Sequence, residues 1–278
     1  MPRAGRANGR VMVAGSVTSG PAAALTRRTI AGKSVVSFES HHYALLPWSE
    51  WRQEVGHPMR LLSIDYHTDT NDAFQAYGCY ARNPTPFGSR PFWEQDQADR
   101  LAQLSAADAA SVEAAVRDLR HDEHIDAAIR CGILDTAFIL GHGTGGVSDE
   151  LPLDRMVLLG DRKSRWGDDA ERRFRDEIIE AGFLQERLGQ AVEICRAAGT
   201  SDPLAVPFIL DIDLDAFNTR RAIAPHDPGV FHDLIRRAYA ITIAQEPGCV
   251  ETCQIEGEGL TAPWLEKQLM VHIQRALS

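Results

Sequence analysis

Residues 207–215 read PFILDIDLD. The apolar run is too short for a helix and does not alternate with polar residues, which suits a strand covered on both faces. Runs of the same form recur at 35–38 (VVSF), 61–65 (LLSID), 136–140 (TAFIL), 156–159 (MVLL) and 240–244 (AITIA). Between them, segments 107–131 and 168–198 carry Ala, Glu, Arg and Leu at helical spacing. Strands alternating with helices imply βαβ units and an α/β fold of three layers around a mainly parallel sheet. Ligands in such a fold collect at the carboxyl ends of the strands. Asp65 and Asp211 both close apolar runs, so the chemistry is expected there.

The chain has 278 residues and 44% hydrophobic content, enough to bury a full core. No internal repeat or Pro/Ser-rich linker divides it. The opening MPRAGRANGRVMVAGSVTSGPAAALTRR has no clean period and is read as part of a flexible basic extension, 1–33, ahead of one catalytic domain, 34–278. The formal charge is −10. The extension holds the only long acid-free basic stretch, so the body carries roughly −16 and is not expected to grip nucleic acid. Gly and Pro interrupt every early apolar stretch and no run reaches membrane length, so neither a signal peptide nor a membrane partner is expected. The five cysteines are scattered in a chain too large to need staples, which suits reduced thiols in a cytoplasmic protein. Cys249 and Cys253 could meet across a helical turn, but no second Cys/His pair at finger spacing accompanies them.

Two clusters carry the unusual chemistry. Asp65-Tyr66-His67-Thr68-Asp69 follows a strand and alternates three ligand types with spacers; in extended backbone these project to one side. Asp211-Ile212-Asp213-Leu214-Asp215 repeats the arrangement. Like charges gathered on one side repel, and a divalent cation removes the conflict. One His with several carboxylates suits Mn²⁺ better than a thiolate-loving ion.

These residues resemble a family. DYHTDTN at 65–71 resembles the Asp-x-His-x-Asp-x-Asn signature of arginases and agmatinases, and LDIDLDAF at 210–217 resembles their second Asp-x-Asp motif. Upstream, FESHHYALLPW at 38–48 resembles the Glu-x-His-x-x-x-Leu opening of the arginase-like UPF0489 family, which includes peptide arginases that convert arginine in peptides to ornithine. The resemblance runs from Val35 to Cys249. It implies an arginase/deacetylase-like fold and two Mn²⁺ ions, one on His41 and Asp69, the other on His67 and Asp213, with Asp65 and Asp211 bridging. His42 is the rival to His41. A water shared by two such ions, about 3.5–4 Å apart, would ionise near neutral pH and attack the guanidinium carbon. By the same resemblance His124 is the proton shuttle, with His142 as its rival and otherwise a substrate-side residue. Glu246 would pair with the guanidinium, and Asn71 would touch the substrate. The Gly-Gly-Asp-His opening and Gly-Leu-Asp-Pro ending of free-arginine arginases are missing, which points to an arginine-containing peptide, or a small guanidino compound, as the partner. Oligomeric state stays open.

Other readings carry different expectations. DIDLD after an apolar run also resembles the nucleophile motif of haloacid-dehalogenase-type phosphatases, with Asp211 attacking phosphorus. A metal-dependent deacylase would use the same centre. A non-catalytic module for cationic peptides would have little physical reason to keep a costly carboxylate cluster. GHGTGG at 141–146 lacks the Lys-Ser/Thr and the helix of a phosphate loop, and reads as a turn at the rim.

Overall fold

The computed structural model describes residues 24–81, 90–141, 155–159 and 169–278. Its strands are β1 (Thr26–Ile30), β2 (Lys33–Phe38), β3 (Met59–Ile64), β4 (Leu134–Leu140), β5 (Met156–Leu158), β6 (Phe208–Asp213) and β7 (Ala240–Ala244). All six apolar runs read from the sequence are therefore strands. They form one sheet in the order β1-β2-β7-β6-β3-β4-β5, parallel throughout except for β1.

Among the described residues, α1 (Leu45–Val55) joins β2 to β3. Next come α2 (Gln75–Ala81), α3 (Arg90–Ala102), α4 (Ala109–Asp118) and α5 (His124–Arg130), all ahead of β4. Helices α6 (Asp169–Glu177) and α7 (Ala181–Ala197) precede β6, α8 (Gly229–Arg237) precedes β7, and α9 (Pro247–Cys253) and α10 (Ala262–Leu277) follow it. Helix α1 stops at Gly56, whose φ of 85° is a left-handed cap that suits glycine. No described helix is long and apolar enough to cross a membrane.

Side-chain alternation along the strands sorts the core into two layers. Leu62, Ile64, Leu210, Ile212, Ile241 and Ile243 pack with α6, α7, α8 and α10 on one face. Leu61, Ile209, Ala240 and Ala244 pack with α1, α4 and α5 on the other. The fold is thus a three-layer α/β sandwich with a mainly parallel sheet.

Two features differ from the expectation. The hairpin β1–β2 starts the sheet at Thr26, upstream of the boundary placed at Ser34, so residues 26–33 belong to the domain rather than to an extension. TRRTI is mostly exposed at the sheet edge and has no apolar signature, and its turn is Ala31-Gly32 with φ of 48° and 85°. Residues 1–23 lie outside the described residues. The helical stretch 107–131 is two helices, α4 and α5, broken between Leu119 and Glu123.

The topology selects one place for a ligand. From β3 the chain proceeds outward to β4 and β5; β6 lies on the other side of β3 and leads outward to β7. Connections diverge from the carboxyl ends of β3 and β6, and such a switch point opens a crevice. Ser63 is level with Asp211 and Ile64 with Ile212, so Asp65 comes level with Asp213 at that crevice.

Candidate metal centre

Beyond Phe38 the chain turns into a short 3-10 turn that opens with His41. Glu246, just past β7, holds this turn by accepting the His41 backbone N–H at 2.8 Å, and its own N–H donates to Glu39 O. The His41 ring is fully buried, with Nε2 2.8 Å from Asp211 Oδ2. A carboxylate only accepts, so the shared proton sits on Nε2 and the Nδ1 edge faces the other way. Asp211 is itself fixed by the Ser63 hydroxyl at 3.0 Å and the Thr242 hydroxyl at 2.6 Å; Thr242 in turn accepts Trp48 Nε1–H at 3.2 Å. An outer carboxylate of this kind sets the tautomer and orientation of a metal-binding imidazole.

Nδ1 of His41 lies 2.9 Å from Asp69 Oδ2, 3.1 Å from Asp213 Oδ2 and 3.6 Å from Asp65 Oδ2. It makes a hydrogen bond with none of them, and Asp65 Oδ2 is likewise buried without a partner. Three acids share one logic, tying one oxygen to a backbone N–H and turning the other to an imidazole, that of His41 for Asp65 and Asp213 and that of His67 for Asp215. Asp65 Oδ1 accepts from His67 N, Asp213 Oδ1 from Asp215 N, and Asp215 Oδ1 from Tyr66 N.

Such a cluster is unfavourable alone. Burial, then the neighbouring acids, push the Asp65 and Asp213 carboxyls well above the usual range, and burial raises Asp69. Burial alone would hold His41 neutral, but Asp211 and the acids at Nδ1 outweigh it and drive its protonation well upward. A proton at Nδ1 and a divalent cation there are alternative ways to neutralise the same acids. His41, Asp65 and Asp69 offer ligand atoms within 4.8 Å of one another, as do Asp65, Asp213 and Asp215. The buried orphan atoms and the oxygen-rich donors fit a pair of hard cations sharing Asp65. Two of the four non-glycine residues with positive φ among the described residues, Asp69 at 48° and Glu246 at 33°, lie in this centre, and backbone strain is often concentrated at functional sites.

The residues singled out from the sequence fare differently. His41, Asp65, Asp69 and Asp213 converge. His42 turns away to Ser40 and is no rival. His67 stands half-exposed at the rim, its Nδ1 2.9 Å from Asp215 Oδ2, which raises it to about 11. Asp211, expected to bridge, sits one strand step deeper, behind His41. Asp215 takes the outer place, and the alternating acids of DIDLD were its only signal. A 3-10 turn at Leu214–Ala216 carries it there, rather than the extended backbone that was expected.

His124, expected as proton shuttle, is fully buried instead. Its ring lies 4.3 Å from that of His41 and 5.4 Å from that of Trp48, and its Nδ1 donates to His121 O. Burial, reinforced by His41, holds it well below the ordinary imidazole value, so it walls the centre rather than serving solvent-side chemistry. His121, three residues earlier and unmarked by any sequence motif, is half-exposed and 3.5 Å from Glu246 Oε2. That carboxylate lifts His121 to about 9; although burial opposes it, His121 and His41 hold Glu246 at about 2. Asn71 is exposed beside them, its amide on Asp122 Oδ2 at 2.6 Å. His142 and most of GHGTGG lie outside the described residues.

No family model matches the chain, and no curated protein matches it. Two solved structures are similar. A hypothetical agmatinase from Burkholderia thailandensis is 13% identical with a TM-score of 0.39, covering 88% of this chain and 60% of its own. Proclavaminate amidino hydrolase from Streptomyces clavuligerus is 12% identical with a TM-score of 0.39, covering 88% and 64%. The chain therefore spans less than two thirds of the length of either.

Proposed function

We propose that this chain is a two-metal hydrolase of guanidino groups, acting on arginine in a peptide or protein to leave ornithine and urea. The observation that carries the metal reading is His41: Asp211 fixes its proton on Nε2, and Nδ1 faces three carboxylates without a hydrogen bond. On this reading His41, Asp65, Asp69 and Asp213 would hold one Mn²⁺. Asp65, Asp213, Asp215 and His67 would hold the second, so Asp213 rather than Asp211 would join Asp65 in serving both positions. When bound, the ions supply an ionised water as nucleophile near neutral pH.

The protein's own groups do the rest. Glu246, ionised and flanking His41, accepts N–H groups of the guanidinium fork. Water oxygen bonds to the guanidinium carbon, the bond from that carbon to the side-chain nitrogen breaks, and the departing amine needs a proton. His121, half-exposed and kept protonated by Glu246, is suited to deliver it. The guanidino substrate rests on the DYHTDTN and FESHHYALLPW resemblances, with the peptide form resting on the absent free-arginine motifs. The phosphatase reading loses its nucleophile, because Asp211 is enclosed by His41, Ser63 and Thr242.

The test is urea release by Mn²⁺-loaded protein from an arginine-containing peptide and from free arginine. Urea from the peptide, abolished in Asp213→Ala, is the expected result. Two bound metals with no urea from either substrate would move the substrate elsewhere, towards deacylation.

A further inference from the structure

Helix α9 begins directly after Glu246 and packs against the 3-10 turn that carries Asp215. Its two cysteines are four residues apart and so share a helix face. Cys249 Sγ lies 3.1 Å from Glu246 Oε2, and Cys253 Sγ lies 4.0 Å from Asp215 Oδ2. His67, Asp215 and Cys253 each present a ligand atom within 4.8 Å of the others. Asp215 also belongs with Asp65 and Asp213 at the same spacing, and Asp65 is fully buried with Oδ2 unpartnered.

We propose that Cys253 is a thiolate ligand of the second metal position. Resting on the two-metal reading above, this makes the pair chemically unlike. The first position, of His41 and three carboxylates, is a hard site suited to Mn²⁺. The second adds sulfur to one imidazole and carboxylates; it still admits Mn²⁺ at the concentrations of a titration, but prefers a thiophilic ion such as Zn²⁺, Co²⁺ or Fe²⁺. The spacing fits, since bonds of about 2.0–2.3 Å to N, O and S place ligand atoms of one ion within this span. The thiol releases its proton to solvent as the metal–sulfur bond forms. Cys249, one turn earlier, faces Glu246 and takes no part.

Cobalt separates the alternatives, because a thiolate on Co²⁺ gives a sulfur-to-metal charge-transfer band in the near ultraviolet and a carboxylate does not. The full chain, stripped of metal and reloaded with Co²⁺, is expected to bind two ions and show the band. Cys249→Ser should keep it. Cys253→Ser should lose it, with Zn²⁺ affinity at one position down by more than the about 10–100-fold that loss of an outer-shell partner costs, and the other position intact. Two bound cobalt ions without the band, or a band that survives in Cys253→Ser, would overturn the thiolate assignment and leave the two-metal reading standing. No bound cobalt or manganese at all would overturn both.

Discussion

Two histidine pairs lie on opposite faces of the same sheet, and they end differently. On the face of α8 and α10, His232 and His272 meet at 3.1 Å, and His272 Nε2 donates to Ile223 O at 2.9 Å. The carbonyl fixes the His272 tautomer, so its Nδ1 accepts from His232 and both of its nitrogens are satisfied. On the face of α1 and α5, His41 Nδ1 and His124 Nε2 are buried without hydrogen-bond partners, and carboxylates crowd around His41. His272 and His41 are both buried, so burial does not distinguish a core histidine from a ligand. Unspent hydrogen-bonding capacity pointed at like charges does.

That contrast can be broken at graded cost. The largest effect is expected for Asp213→Ala, which removes an oxygen shared by both proposed positions; metal content and urea release should be lost together, while the circular dichroism stays that of the native fold. Next, His121→Ala should keep both metals and lower kcat by about 10²–10⁴-fold, the usual worth of a general acid; an unchanged kcat would remove His121 from the reaction. Asp211→Asn keeps the shape but offers an amide N–H that can donate to His41 Nε2 and so move the ring proton to Nδ1. Metal affinity should fall about 10–100-fold by calorimetric titration, as for other outer-shell partners. The smallest effect belongs to the other face. Burial lowers the pKa values of His272 and His232, so the unfolded chain binds more protons than the native one below the ordinary imidazole value. Stability is fully present above about pH 6.5 and declines as pH falls below it, by less than ~1 kcal/mol given partial exposure. Denaturant melts of wild type and His272→Leu across that range should show a smaller decline in the variant, since His232 and the buried His124 remain.

Much of this was legible before any coordinates. Six apolar runs marked six strands, because a strand buried on both faces has to be apolar until it emerges, and the two runs that end in Asp65 and Asp211 marked the edge where the site lies. The choice among Asp211, Asp213 and Asp215 was not legible. All three alternate in the sequence, and only the pairing of Ser63 with Asp211 and the 3-10 turn after Asp213 decide which lies inside the sheet and which reaches the crevice. His121 and His124 stand three residues apart at the entry to α5, so one turn of chain separates rim from wall. Strand β1 escaped because an edge strand with Arg on its exposed face lacks the apolar pattern that marks the others.

The most direct test of the account is calorimetric titration of the metal-free full chain with Mn²⁺, scored as ions bound per chain. Two bound ions, reduced in Asp213→Ala but not in His121→Ala, are the predicted result. A chain that binds no Mn²⁺, with His41 and its carboxylates neutralised by protons alone, would contradict it.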